Sequence, residues 1–213
     1  MMLRQLFITA FLFLVLVNSA SSSLADTKMT EKEIRKTIES YCMIEFKGAW
    51  VEDRWALIKF SAKRKAENKY RAITDSAVFG LKHYPFIVVS SYEIIGVRLL
   101  DSVHGTANVV YRQLAHSVDE SDGHWHLVAE PPHDETVTLN LVFDKNQWWV
   151  LDPPPSRISK GVLIEYYEYQ VKKYSSIWEQ KLNDPTYNDR QKANVRANRD
   201  QATGALQILK NLP

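Results

Sequence analysis

Thr136-Val137-Thr138-Leu139-Asn140-Leu141-Val142-Phe143, then Asp144-Lys145-Asn146, then Gln147-Trp148-Trp149-Val150-Leu151 is the stretch that decides the fold. Val137, Leu139, Leu141 and Phe143 fall on one face of a strand, with Thr136, Thr138 and Asn140 opposite. Strict alternation of this kind is the signature of a half-buried strand. Asp144, Lys145 and Asn146 form a turn, and residues 147–151 pair back as the second arm of a hairpin. Trp148 and Trp149 take opposite faces, so one ring anchors the core and the other meets a helix, a ligand or solvent.

Working outward, residues 86–100 read as a long strand, apolar on both faces over much of its length, that Gly96 is placed to kink. His104-Gly105 reads as a turn and residues 106–114 as the returning partner. Residues 116–135 are polar and acidic around a short strand in which Trp125, Leu127 and Ala129 share a face. Pro153, Pro154 and Pro155 donate no ladder hydrogen bonds, so the sheet is expected to end there.

Helices flank the sheet. Thr30 and Glu33 form a capping box, and Ile34, Ile38, Tyr41 and Cys42 recur at helical spacing over residues 31–47. Residues 50–72 carry Trp55, Ile58 and Ala62 at the same spacing with a basic face, which predicts a second helix. Beyond the prolines, Ser159 caps a helix over residues 160–182 that is rich in Tyr166, Tyr167, Tyr169, Tyr174 and Trp178. Asn183-Asp184-Pro185 breaks it. A last helix over residues 189–212 offers a thin stripe of Ala193, Ala197, Ala202, Leu206 and Leu209. Such a stripe needs a partner surface to hold in water, either this domain's own sheet or another molecule.

The 213 residues include an N-terminal stretch with a different purpose. Arg4 precedes the uncharged run from Leu6 to Val17, which as a helix would reach only about 18 Å, too short to span a bilayer. Ser23-Leu24-Ala25 then offers small residues at the positions a signal peptidase reads. Residues 1–25 are therefore expected to be a signal peptide cleaved after Ala25, giving a periplasmic or secreted protein that meets the membrane only in transit. The rest carries 26 basic against 25 acidic side chains, a balance that gives no field for nucleic acid. The lone Cys42 has no internal disulfide partner and reads as a core residue.

The order of helices, the strand Val88-Val89-Ser90-Ser91-Tyr92-Glu93-Ile94-Ile95-Gly96-Val97 and the closing segment Asn146-Gln147-Trp148-Trp149-Val150-Leu151-Asp152-Pro153 resembles the cystatin-like α+β cone of nuclear transport factor two, ketosteroid isomerase and scytalone dehydratase. The resemblance implies an α+β fold over residues 26–155, with N-terminal helices packed on a strongly bent antiparallel sheet. Residues 156–213 form a C-terminal helical extension that small cones commonly lack. Because this superfold hosts enzymes and binding modules alike, chemistry does not transfer with it.

Three function classes follow. The leading one is a non-catalytic exported module that binds a protein partner or a second copy, with Tyr166, Tyr169 and Trp178 as interaction residues, since tyrosine and tryptophan are favoured at contact surfaces. The second is a small apolar ligand binder, or an isomerase or dehydratase-type enzyme, using the cone interior. Asp75, Asp101, Tyr92 and Tyr111 are then the residue types for proton transfer at a carbonyl. The third is metal binding by His124, His126 and His133, because His124 and His126 alternate on a strand with carboxylates nearby. No cofactor is expected: the chain has seven glycines and no phosphate-cradling loop, nucleophile elbow or Cys-x-x-Cys pair.

Overall fold

The computed structural model describes residues 30–48, 61–64, 70–72, 85–119 and 125–213. Helix α1 spans residues 30–46. Strands β1 (Ser61–Arg64), β2 (Tyr70–Ala72), β3 (Phe86–Leu99), β4 (His104–Asp119), β5 (Trp125–Asp144), β6 (Gln147–Leu151) and β7 (Ser156–Ser159) follow, then helices α2 (Lys160–Asn183) and α3 (Asp189–Asn211). Among the described residues the strands form one strongly curled sheet in the order β2-β1-β6-β5-β4-β3-β7, an α+β architecture compatible with a cone-like fold.

The hairpin of β5 and β6 forms as its alternation predicts, with Leu141 opposite Val150 and Phe143 opposite Trp148. Lys145 and Asn146 both adopt positive φ, 51° and 63°, the conformation a two-residue turn needs to match the twist of its strands. Trp148 is buried and Trp149 half-buried, its indole N–H donating to the Asp144 carbonyl at 3.1 Å.

Several expectations need correction. The helix expected over residues 50–72 is strand in its described parts: β1 pairs parallel to β6 and antiparallel to β2. There a tertiary sheet edge overrides a helical spacing of apolar residues. The β3–β4 turn lies at residues 101–103, just before His104-Gly105, which open β4. Strand β3 is covered on both faces only at its start, and farther along Ile95 is 53% exposed. Of the polar stretch 116–135, residues 116–119 end β4 and residues 125–135 open the continuous twenty-residue strand β5. Nor does the sheet end at the prolines. Once past them the chain returns as β7, parallel to Phe86–Val89 of β3.

The two faces carry two cores. Against one face α1 places Ile34, Ile38, Tyr41 and Cys42 on Val89, Ala107, Val109, Leu139, Leu141, Trp148 and Val150. Against the other, Phe86, Val88, Leu114, Ala115, Leu127 and Ile158 meet Leu163 and Tyr167 of α2 and Ala202, Ala205 and Leu209 of α3. A bulge makes this possible. Gln113 pairs with His133 but Ala115 pairs with Ala129, so Glu130, Pro131 and Pro132 stand opposite Leu114 alone. Single extra residues, Leu114 against β3 and Ser90 against β4, shift the register at the same level and the facing changes there, while prolines are tolerated where ladder donors are not needed. Thus Ala107, Val109 and Tyr111 face α1, whereas Ala115 faces the C-terminal helices.

The C-terminal helices therefore complete their stripe on this domain's own sheet. Asn188 and Gln191 form a capping box on α3, Lys160 Nζ donates to the Leu212 carbonyl at 2.6 Å, and Lys210 pairs with Glu168 at 2.7 Å. The buried residues of α2 are Leu163 and Tyr167 and those of α3 are Ala202, Ala205 and Leu209, all at the sheet end. Farther along the pair the burial thins, and Val171 and Trp178 are only partly buried where they pack against the same core.

At Gly105 the side chain of Ile34 from α1 lies close over the sheet. A Cβ there would lie 2.7 Å from Ile34 Cδ1 and 3.3 Å from the Arg98 carbonyl oxygen. Gly105→Ala is expected to cost about 1–3 kcal/mol by overpacking. Adding Ile34→Val, which removes the opposing methyl, should recover part of that loss in a denaturant melt.

Candidate functional site

Two constellations stand out, one closed and one open. The closed one begins on α1, where Glu45 lies one turn after Tyr41 on the apolar stripe and is only 2% exposed. Its carboxylate accepts from the hydroxyls of Tyr41 at 3.2 Å and Tyr111 at 3.4 Å, and from the Arg157 backbone N–H. The Tyr111 hydroxyl also lies 3.4 Å from Cys42 Sγ. Arg157 stacks its guanidinium 4.8 Å over the Tyr111 ring, pairs with Glu135 at 2.9 Å and donates to the Pro155 carbonyl at 3.0 Å. Burial dominates the electrostatics. It raises the Glu45 carboxyl to about 7, against the lowering pull of Arg157 and the hydrogen bonds. It pushes the Cys42 thiol to about 12, and the Tyr41 and Tyr111 hydroxyls well above their ordinary range.

A carboxyl near 7 has the proton affinity of a general acid or base. Its surroundings give it a different job. Tyr41, Cys42, Glu45, Tyr111 and Arg157 are each 3% exposed or less, so no substrate atom reaches the carboxylate in this structure. The cluster instead ties α1, β4 and β7 together across the sheet, and a buried polar network of this sort specifies one packing, here with the Arg157 Nε left without a hydrogen-bond partner.

The open constellation is a groove of about 610 Å³ between α2 and α3. Tyr166, Gln170, Tyr174, Ile177 and Trp178 of α2 line it, with Lys181 one turn farther along, and Val195, Asn198, Gln201 and Ala202 of α3 face them. Tyr174 and Trp178 sit 6.1 Å apart and Tyr166 contacts Tyr167 edge-on at 4.9 Å. The helical spacing that aligns these rings is visible in the sequence: residues 166, 170, 174, 177, 178 and 181 share one face of an α-helix.

The structure separates the residues expected from sequence. Tyr166 and Trp178 line the groove, whereas Tyr169 is 55% exposed outside it, with the Lys173 ammonium 5.1 Å from its ring. Tyr111 belongs to the closed cluster, and Tyr92 packs beside it, its ring 6.2 Å from Tyr111 and 5.3 Å from Phe46. Asp101 is an exposed turn residue. Its carboxylate accepts from the backbone N–H groups of Val103 and His104 at 2.8 Å, and those bonds with the His104 ring hold its carboxyl below the usual range. Asp75 and His124 lie outside the described residues. His126 and His133 are exposed on β5, and His133 Nδ1 lies 3.1 Å from the Pro131 carbonyl. His116 instead pairs with Glu130 at 2.8 Å. Among the described residues, no three His, Cys, Asp or Glu side chains come together as a ligand set, and no helix is long and apolar enough to cross a membrane.

Glu45 and Arg157 are buried charged groups that sequence reasoning does not single out. Glu45 has a legible signal, an acid continuing the stripe of Ile34, Ile38, Tyr41 and Cys42. Arg157 follows three prolines with no periodicity to mark it. Compared with protein-family models, curated proteins and solved structures, the chain matches none.

Proposed function

We propose that this protein is an exported binding module with a cone-like α+β domain, in which the groove between α2 and α3 is the recognition site. One observation carries the reading. The aromatic rings Tyr166, Tyr174 and Trp178 line an open groove between the two C-terminal helices, where Tyr166 and Trp178 are only partly buried against the core that holds Tyr167 and Ala202. A groove of several hundred Å³ with convergent aromatic and polar side chains is the usual form of a ligand site. The closed cluster around Glu45 supports the fold in this reading and takes no part in binding. Membership of the nuclear transport factor two superfamily is consistent with a helix against a curled sheet, and export rests on residues 1–25.

Fragment screening by protein NMR tests the reading and needs no candidate ligand. Perturbations are expected to centre on Tyr174, Trp178 and Asn198, and to vanish in Trp178→Ala while the rest of the spectrum is preserved. Perturbations centred on Tyr92 and Phe46, and indifferent to Trp178, would move the site to the sheet and overturn the proposal. On protein recovered from its host, the first residue is expected at Asp26; a chain still starting at Met1 would remove export.

A further inference from the structure

The chemistry of the groove specifies more than its location, and we infer that its occupant is an oligosaccharide chain. The inference rests on the groove being the recognition site. Both walls are helices, whose backbone donors and acceptors are already joined in i to i−4 bonds, so an extended peptide finds no strand edge to pair with. All polar recognition must come from side chains. Among these are Gln170 and Asn198, amides that each carry donors and an acceptor. A sugar hydroxyl is likewise both donor and acceptor. Asn198 donates one amide hydrogen to the Asn194 carbonyl at 2.7 Å, which holds its side chain in place against the helix.

The apolar part of the lining is equally particular. Tyr166, Tyr174 and Trp178 give the groove an aromatic lining, and aromatic rings suit the C–H faces of pyranose rings. An amphipathic helix would instead require a continuous aliphatic seam, and here Gln170 interrupts the rings of α2 while Asn198 and Gln201 face them from α3. From residue 166 to residue 178 an α-helix rises about 18 Å, long enough for a short chain of sugars and too long for one. Among the described residues that line the groove Lys181 is the charged one, so the site accepts neutral sugars and a carboxylate substituent at that end. Exposure of an exported protein to extracellular glycan agrees with this chemistry.

Isothermal titration of the full chain with unbranched tetrasaccharides tests it, using β-1,4-linked N-acetylglucosamine, β-1,4-linked glucose and α-1,4-linked glucose. Binding of at least one is expected. Trp178→Ala should weaken it about tenfold or more by removing a stacking ring, and Asn198→Ala should weaken it with an unchanged melting curve. If no tetrasaccharide binds while an amphipathic helical peptide does, and Trp178→Ala abolishes that binding, the sugar inference falls and the groove remains the site. If a tetrasaccharide binds equally well to wild type, Trp178→Ala and Asn198→Ala, the sugar sits elsewhere and both fall. If neither sugar nor peptide binds, the oligosaccharide inference is overturned, and the fragment map alone then judges the groove.

Discussion

Glu45→Gln is expected to stabilise the protein at pH 8 and to flatten its dependence on pH between about 4.5 and about 7, the ordinary value of its carboxyl and the value burial gives it. The folded state holds the Glu45 proton more tightly than the unfolded chain does. Across that window the folded protein is protonated where the unfolded chain is not, so stability is greatest below the unfolded value and declines as pH rises through the folded one. The difference between about 7 and 4.5 corresponds to about 3 kcal/mol. Glutamine reproduces the protonated acid. Its amide can donate to the Tyr111 oxygen while its carbonyl accepts from Tyr41, with Tyr111 turned towards Cys42 Sγ. Melts of the two proteins across pH 4 to 9 should converge in acid, separate as pH rises from about 4.5 to about 7, and keep a constant gap above it. Parallel curves would mean that the carboxyl titrates as an exposed one.

The second large effect concerns the C-terminal helices. Leu209 is fully buried between α3 and the sheet, in one core with Phe86, Leu114, Ile158 and Tyr167. Leu209→Ala should cost about 2–5 kcal/mol, which for a chain of this size is a fall of several degrees in Tm. Deleting residues 186–213 goes further, because it uncovers Val88, Leu127 and Leu163 as well. The truncated chain is expected to melt earlier and to bind apolar dyes. If it keeps the wild-type Tm and binds no dye, the helices are not part of the domain's core.

What can be read from the sequence divides along physical lines. Residues 136–151 declare themselves because alternation, turn residues and a single partner strand all agree. Helix α2 is equally plain, since Ser159 caps it and Pro185 follows its end. The strands β1 and β2 escape such a reading because their place beside β6 is a tertiary contact that no local spacing reports. The bulge opposite Leu114 is hidden too, as Pro131 and Pro132 argue against a strand unless the pairing around them is known. In the candidate groove, Tyr166 and Trp178 are found from composition alone. Gln170, Asn198 and Gln201 are not, because an amide on a helix is ordinary until a second helix brings it beside an aromatic ring.

With recognition assigned to the open groove and architecture to the closed cluster, one titration sets the two roles against each other. A tetrasaccharide or a fragment bound by the wild-type chain is titrated into Glu45→Gln and into Trp178→Ala, each confirmed as folded by its melt. The prediction is that Glu45→Gln binds as wild type does and Trp178→Ala loses most of its affinity. Lost binding in Glu45→Gln with full binding in Trp178→Ala would contradict this assignment and place function at the buried acid.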